Sequence, residues 1–83
     1  MADIKVYGAD WCPLTKGTLA HLDELQIPYK YINIDHDKQA AKWVAEQNNG
    51  KEKKPTLDID GLVLTEPTDE ELDEALEEKG ISK

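Results

Sequence analysis

The spacing of apolar residues divides the chain into seven predicted elements of secondary structure. Alternation of apolar and polar residues, with β-branched or aromatic side chains, predicts four strands at residues 3–7, 29–34, 56–60 and 62–64. Apolar residues at helical spacing predict three helices, at residues 13–26, 38–47 and from a cap at Thr68 to about residue 79. In the first helix, the positions expected to face the core are Leu14, Leu19, Leu22 and Leu25.

Short polar motifs mark where several of these elements begin and end. Asp35 or Asp37 is suited to cap the second helix, and Thr68 with Glu71 has the spacing of a capping box before the third. Asp60-Gly61, between the last two strands, is typical of a tight hairpin turn. These motifs support the boundaries that the apolar pattern predicts.

The predicted order of elements is β-α-β-α-β-β-α. Strands joined through a helix pair in parallel by a right-handed crossover, so we expect the first two strands to be parallel. The last two strands, joined by a tight turn, are expected to form an antiparallel hairpin. The sequence therefore predicts a single α/β domain over residues 1–83, with a four-stranded mixed sheet.

Composition argues against several classes of partner. The formal net charge is −8, with ten lysines and no arginine, and this acidity argues against binding to nucleic acid or to anionic membrane surfaces. No apolar stretch approaches the ~20 residues of a membrane span, and no signal peptide is expected. The single cysteine excludes an internal disulfide, and no residues have the spacing of a metal site. We expect a reducing cytoplasm as the compartment.

The one cysteine lies in the tetrad Cys12-Pro13-Leu14-Thr15, directly after Trp11 and at a strand-to-helix junction. A thiol at a helix N-terminus faces the positive end of the helix dipole and free backbone N–H groups, which favour the reactive thiolate. We therefore expect Cys12 to be at least partly exposed, with a pKa below the ordinary ~8.5 of a thiol. Because Thr15 replaces the second cysteine of a redox Cys-x-x-Cys motif, another molecule must supply half of the chemistry.

Two further residues are candidates for a role beside the thiol. Thr15 lies one turn into the helix, where its hydroxyl can donate a hydrogen bond to the Cys12 thiolate, although an ordinary helical role is the simpler interpretation. Pro55 opens a predicted strand after a polar loop, which makes it a candidate for a cis peptide bond, with a trans edge proline as the alternative.

These motifs and the element order together resemble the glutaredoxin branch of the thioredoxin fold over nearly the whole chain. The Trp-Cys start of the tetrad, the Asn-Gly loop before Pro55 and the Glu-Pro pair after the fourth strand are most similar to the mycoredoxin-type bacterial glutaredoxins. The segments that carry the resemblance are residues 9–15, 32–35, 48–50, 53–56 and 60–69.

The resemblance implies roles for individual residues. Cys12 would be the nucleophile that attacks a mixed disulfide, and a cis Pro55 would lie against it. The Lys54 backbone would pair with the bound thiol as an added strand does. Thr68 and Asp69 would hold the γ-glutamyl group of glutathione, although helix capping is sufficient to explain both residues. Trp11, as a lip of the groove, and Pro13 complete the implied binding residues.

The sequence departs from the family's pattern at four places. Thr15 stands in place of the resolving cysteine, so an intramolecular disulfide is impossible. Thr65-Glu66 occupies the place of two glycines that let the backbone of glutathione approach, and Glu66 adds bulk and negative charge there. Asp10 stands where many members have a lysine, and Lys54 stands where a β-branched residue is usual.

The predicted function is that of a monothiol thiol–disulfide oxidoreductase. Cys12 would reduce mixed disulfides with a low-molecular-weight thiol, glutathione or mycothiol, as co-substrate. The implied partners are this thiol and thiolated proteins, and we expect a monomer. Three alternatives stay open: a carrier of a [2Fe–2S] cluster shared between two subunits, a binding module with an idle thiol, and a Cys-to-Thr variant of a dithiol glutaredoxin at Thr15.

Overall fold

The seven predicted elements are present, in the predicted order, in a computed structural model that describes residues 3–81. Their ends differ from the predicted ones by no more than two residues. The strands are β1 (Ile4–Gly8), β2 (Lys30–Asn33), β3 (Thr56–Ile59) and β4 (Leu62–Thr65), and the helices are α1 (Pro13–Glu24), α2 (Lys38–Gln47) and α3 (Asp69–Glu78).

The four strands form one mixed sheet in the order β2-β1-β3-β4. β1 pairs in parallel with β2, while β3 is antiparallel to both β1 and β4, which confirms the predicted pairings. In this register Tyr7 near the end of β1 lies opposite Thr56 at the start of β3, and Thr56 lies opposite Thr65 at the end of β4. The loops after β1, β2 and β4 and the loop before β3 therefore meet at one edge of the sheet.

Helices cover the sheet on both faces. Ile4 and Val6 of β1 pack with buried residues of α1, β3 and α3 in the larger core cluster. Tyr7, which points to the other face, packs with Val44 of α2 in a second cluster, and its ring stacks on Trp43 with the centroids 4.6 Å apart. Because successive side chains of β1 point to opposite faces of the sheet, α1 and α3 pack on one face and α2 packs on the other.

The leucine spacing predicts most of the buried face of α1. Three of the four leucines pack in or against the core, but Leu14 is 58% exposed, and the other buried positions of the helix are Thr15 and Thr18. Gly8 explains the difference, because a Cβ on Gly8 would lie 2.5 Å from the Thr15 side chain. The helix therefore approaches β1 closely only with a small residue on each side.

α1 also ends two residues before the predicted position. Gln26 has a left-handed backbone conformation with φ of 59°. Its N–H donates to the Asp23 carbonyl and the N–H of Ile27 donates to the Leu22 carbonyl, which is the hydrogen-bond pattern of a Schellman motif. Because this left-handed residue is glutamine and not glycine, the sequence does not indicate that the helix ends here.

The predicted caps and turn are present. Asp37 rather than Asp35 caps α2, since its carboxylate accepts a hydrogen bond from the Ala40 N–H at 3.0 Å. Thr68 and Glu71 form the reciprocal capping box of α3. The Asp60-Gly61 turn has positive φ at both residues, as a tight hairpin requires. Within residues 3–81, no helix is long and apolar enough to span a membrane.

Candidate active site

Cys12 lies where β1 leads into α1, at the sheet edge that gathers the loops. It is the N-cap residue of α1, with Pro13 in the first turn, and its side chain makes no capping hydrogen bond. The residue is buried, with 7% of its surface exposed, so the expectation of a partly exposed cysteine is wrong. A neighbouring loop causes this burial, because the Cys12 Sγ lies 3.9 Å from the carbonyl oxygen of Lys54.

The pKa of the Cys12 thiol lies below its ordinary value, as the sequence predicts. Burial raises this pKa, but the Thr15 backbone N–H and hydroxyl and the Leu14 backbone N–H, which can donate to the thiolate, lower it, and the positive charge of Lys54 lowers it further. These donors belong to the first turn of α1, where backbone N–H groups have no helical partner. The helix start thus favours the thiolate despite the burial.

Thr15 lies behind the thiol, one helical turn along the chain. Its side chain is fully buried. The hydroxyl accepts a hydrogen bond from the Ala9 N–H at 3.5 Å. Since a hydroxyl can accept and donate at once, its proton stays free for the Cys12 sulfur. The structure therefore places the Thr15 hydroxyl behind the thiol, where both a helical role and a contact with the sulfur remain open.

Pro55 follows Lys54 through a cis peptide bond, in agreement with the implied geometry, and its side chain is fully buried. Its carbonyl accepts a hydrogen bond from the Glu66 N–H at 2.8 Å. Glu66 itself has a left-handed backbone conformation with φ of 47°, which is the conformation that glycine adopts most readily. The loops before β3 and after β4 are thereby joined next to the thiol.

Trp11 covers one side of the site and is fixed by two loops. Its indole N–H donates to the Asp35 carboxylate at 2.8 Å, and the Lys54 Nζ lies 5.3 Å from its ring centroid, within cation–π range. The Lys54 Nζ also donates to the Glu52 carbonyl. Trp11 is nevertheless 64% exposed, which suits a lip of a groove.

An open cleft of about 310 Å³ lies above the sulfur. Its walls combine apolar surface with lysine and glutamate side chains from the loops before β3 and after β4, and it is lined by Trp11, Cys12, Leu14, Glu52, Lys53, Lys54 and Glu66. The cleft therefore contains Cys12 and two of the implied binding residues, Trp11 and Lys54. It is not lined by Pro13, Thr68 or Asp69.

Thr68 and Asp69 lie at the start of α3, beside α1 rather than in the cleft. The Thr68 hydroxyl accepts a hydrogen bond from the Glu71 N–H at 3.1 Å, and the Thr68 N–H donates to the Glu71 carboxylate. The Asp69 carboxylate lies 3.8 Å from the Nδ1 of His21. Capping and this contact occupy the side chains that the resemblance assigns to glutathione.

Sequence reasoning missed Asn48, which it treated only as the end of a helix. The Asn48 side chain is buried and donates to the Val44 carbonyl at 2.8 Å and to the Thr56 hydroxyl at 3.2 Å. It also accepts from the Thr65 hydroxyl at 2.6 Å. These partners lie up to 17 residues away, so no local motif reveals them.

The sequence also gave no role to Tyr31, whose hydroxyl donates to the Asp10 carboxylate at 2.7 Å. Burial raises the pKa of Tyr31, and the hydrogen bond to Asp10 raises it further, so the phenol stays a donor. This contact ties β2 to the loop before Cys12. Across the described ranges, no group of three metal-ligating side chains is present.

Comparison with known proteins identifies related sequences over most of the chain. The family model described as Glutaredoxin matches residues 4–64. Mycoredoxin 1 of Corynebacterium glutamicum is 35% identical over 68 residues, which are 81% of this chain and 84% of that protein. A putative glutaredoxin of Mycobacterium tuberculosis is 31% identical over 72 residues, 86% of each chain.

Solved structures agree on the fold. A thioredoxin-like protein superposes with a TM-score of 0.81 at 25% identity, covering 93% of this chain and 97% of that one. The glutaredoxin of Archaeoglobus fulgidus gives a TM-score of 0.71 at 24% identity, covering 89% and 85%. The family match, the relatives and the thiol at the start of α1 lead to one conclusion: the chain belongs to the glutaredoxin family of thiol–disulfide oxidoreductases.

Proposed function

We propose that this glutaredoxin reduces mixed disulfides between proteins and a low-molecular-weight thiol by a monothiol mechanism at Cys12. The observation that carries the proposal is the lone thiol itself. Cys12 has a lowered pKa and lines a cleft, while the buried position one turn behind it holds Thr15, which has no sulfur. The thiolate is the nucleophile in disulfide exchange, so the site supplies the attacking group and no resolving one.

In the first step the Cys12 thiolate attacks the small-thiol sulfur of the mixed disulfide. A new S–S bond forms between Cys12 and the small thiol, the old bond breaks, and the protein leaves as a thiolate that takes up a proton. In the second step the thiolate of another small thiol attacks the same sulfur, which releases the small-thiol disulfide and restores the Cys12 thiolate. Each turnover thus consumes one free small thiol, which leaves as a disulfide with the small thiol taken from the substrate.

The cleft supplies surfaces for both partners. We assign its apolar wall, Trp11 and Leu14, to the thiolated protein, because both side chains are large and exposed. The Lys54 backbone is assigned to the small thiol, since its carbonyl lies beside the sulfur. Pro13 is proposed to shape the start of α1, where it leaves the following N–H groups free for the sulfur.

Thr68 and Asp69 remain a proposed binding site for the far end of a small thiol. A helix N-terminus attracts anionic groups, which supports this assignment. Against it, Glu66 lines the cleft nearer to Cys12 and repels a carboxylate. Glutathione and mycothiol are both candidates, and the relative named Mycoredoxin 1 points to the second. Since the reaction needs a reduced thiol, we propose a reducing compartment such as the cytoplasm, with the protein acting as a monomer.

A turnover assay with a thiolated peptide, run in parallel with glutathione and with mycothiol, tests the proposal. We expect turnover with at least one of the two, and none in Cys12→Ser, which keeps the shape of the site and removes the nucleophile. Turnover in Cys12→Ser, or none in the parent with either thiol, contradicts the mechanism. In the second case, visible absorption of the purified protein separates an iron–sulfur carrier from an idle binding module.

A further inference from the structure

A buried polar network lies beneath the wall of the cleft that faces Cys12. Its centre is Asn48, the residue that ends α2, and its branches reach the Thr56 and Thr65 hydroxyls. The Thr56 hydroxyl in turn donates to the Lys53 carbonyl at 2.9 Å. The network therefore connects the end of one helix to the two strand ends beside the thiol.

The direction of every hydrogen bond in this network is fixed by its ends. The carbonyls of Val44 and Lys53 only accept, so the Asn48 amide nitrogen must face Val44, and the Thr56 proton must point to Lys53. Thr56 then accepts from the Asn48 amide, and the Asn48 oxygen receives the Thr65 proton. Because the donors and acceptors can be assigned in only one way, the network favours one arrangement of the chain.

Each branch ends at or next to a residue that lines the cleft. Lys53, held by Thr56, precedes the Lys54 carbonyl that lies 3.9 Å from the Cys12 Sγ. Thr65, held by Asn48, precedes Glu66, whose N–H donates to the Pro55 carbonyl. The segment 51–55 has no regular secondary structure of its own, so its position depends on these hydrogen bonds and on the backbone bond from the Lys51 N–H to the Asn48 carbonyl.

We propose that Asn48 is a positioning residue for the reaction at Cys12. Its buried carboxamide holds residues 53–56 and the end of β4 so that the Lys54 carbonyl lies beside the thiol and Glu66 lines the cleft. The role rests on the function proposed above, because the wall it holds is the one assigned to the small thiol. Without the carboxamide, the loop keeps its backbone hydrogen bond from Glu66 to Pro55 but loses the side-chain link to the end of α2, and the sulfur becomes more accessible.

The test uses Asn48→Ala and Thr56→Val, which remove the centre and one branch of the network, and Thr56→Ser, which keeps the hydroxyl. The first readout is the limiting rate of Cys12 alkylation at high pH, where the thiol is fully ionised and the rate reports access to the sulfur. The second is KM and kcat for a thiolated peptide. Val44→Ala is the matched control, since it removes core packing from α2 but leaves the backbone carbonyl that Asn48 binds.

We expect Asn48→Ala and Thr56→Val to raise the limiting alkylation rate and KM roughly threefold to tenfold, the effect of losing one or two hydrogen bonds, with kcat nearly unchanged. Thr56→Ser, which keeps the hydroxyl, should have the parent's alkylation rate and KM. Val44→Ala should lower the free energy of unfolding but leave the alkylation rate and KM unchanged. Unchanged values in folded Asn48→Ala, or equal changes in Val44→Ala, overturn the proposal. If Asn48→Ala does not fold, the comparison of Thr56→Val with Thr56→Ser tests the proposal, and equal values in these two variants overturn it. Absent turnover in the parent would contradict only the proposed function, because alkylation needs no substrate.

Discussion

Thr15 lies fully buried behind Cys12, at the position where a dithiol site carries its second sulfur. This residue has three effects on the site. Its hydroxyl and backbone N–H lower the thiol pKa, its small size allows α1 to approach Gly8, and its lack of sulfur prevents an internal disulfide. The residue therefore favours the thiolate and limits the reaction that the thiolate can complete.

Replacing the Thr15 hydroxyl by a methyl group should raise the pKa of Cys12. Thr15→Val keeps the shape of the side chain but removes a donor to the thiolate, and it leaves the Ala9 N–H without its acceptor, at a cost of about 1 kcal/mol in stability. The inflection of alkylation rate against pH measures the change. Thr15→Ser keeps the donor and should retain the parent's inflection. An unchanged inflection in Thr15→Val would show that the hydroxyl does not act on the thiol.

Thr15→Cys should convert the site into a dithiol. A sulfur one turn behind Cys12 lies at the spacing of a redox tetrad, so the variant should close a disulfide and reduce protein disulfides without added small thiol. Mixed-disulfide reduction, which depends on Cys12, should change little. The control is Thr18→Cys, another buried position of α1 that lies about 9 Å along the helix from Cys12, beyond disulfide reach. Efficient reduction of protein disulfides by the parent alone would contradict the monothiol mechanism.

Glu66→Gly should strengthen the interaction with glutathione. The substitution removes a carboxylate from the cleft and suits the left-handed backbone at this position. Removing one repulsive charge predicts a KM for glutathione about threefold to fivefold lower. Asp60→Gly is the matched control, because Asp60 is also an exposed acidic residue with positive φ but lies at the opposite end of β3. An unchanged or higher KM for glutathione in Glu66→Gly would mean that glutathione does not bind near Glu66.

At the scale of elements, α1 shows where sequence patterns succeed and where they fail. Its start at Pro13 and its place after β1 follow from proline and from the alternation of β1. Three of the four predicted leucines pack in or against the core, but Leu14 is exposed, and contact with Gly8 places the small side chain of Thr15 at the interface instead. Its end at Glu24 depends on a left-handed Gln26, which only the folded chain specifies.

The contact between α1 and α3 predicts a pH dependence of stability. The His21 Nε2 lies 2.7 Å from the Asp73 carboxylate, and this hydrogen bond raises the pKa of His21, with smaller contributions from nearby carboxylates against a lowering by burial. The folded state thus favours protonated His21. Its stabilisation is fully present below the ordinary pKa of ~6.5 and is lost as pH rises through the higher pKa of the folded state.

Urea unfolding of the parent and of His21→Ala over this pH range measures that contribution. The difference in unfolding free energy should be largest below pH ~6.5 and should shrink as His21 loses its proton. Salt should reduce it, since the Asp73 side chain is 54% exposed. His36→Ala changes an exposed histidine and is the control. A difference that stays constant with pH would mean that His21 acts through packing alone.

At the scale of the whole molecule, the sheet register brings the site together. Cys12 follows a central strand, and the antiparallel start of β3 places Lys54 and cis Pro55 beside it. The element order, the strand pairings and the cis bond could be predicted from the sequence, since each has a local motif or a topological rule behind it. The burial of Cys12 and the contacts of Asn48 could not, because both depend on loops that meet only after the sheet has formed.

The central claim is that Cys12 alone carries the small thiol between the two steps of exchange. Intact-mass analysis tests it most directly, after the reduced protein is mixed with a stoichiometric amount of thiolated peptide and quenched with acid. The account predicts a protein whose mass has increased by one small thiol, attached at Cys12, together with free peptide. A protein that carries the peptide on Cys12, or one that remains unmodified while the peptide stays thiolated, would contradict it.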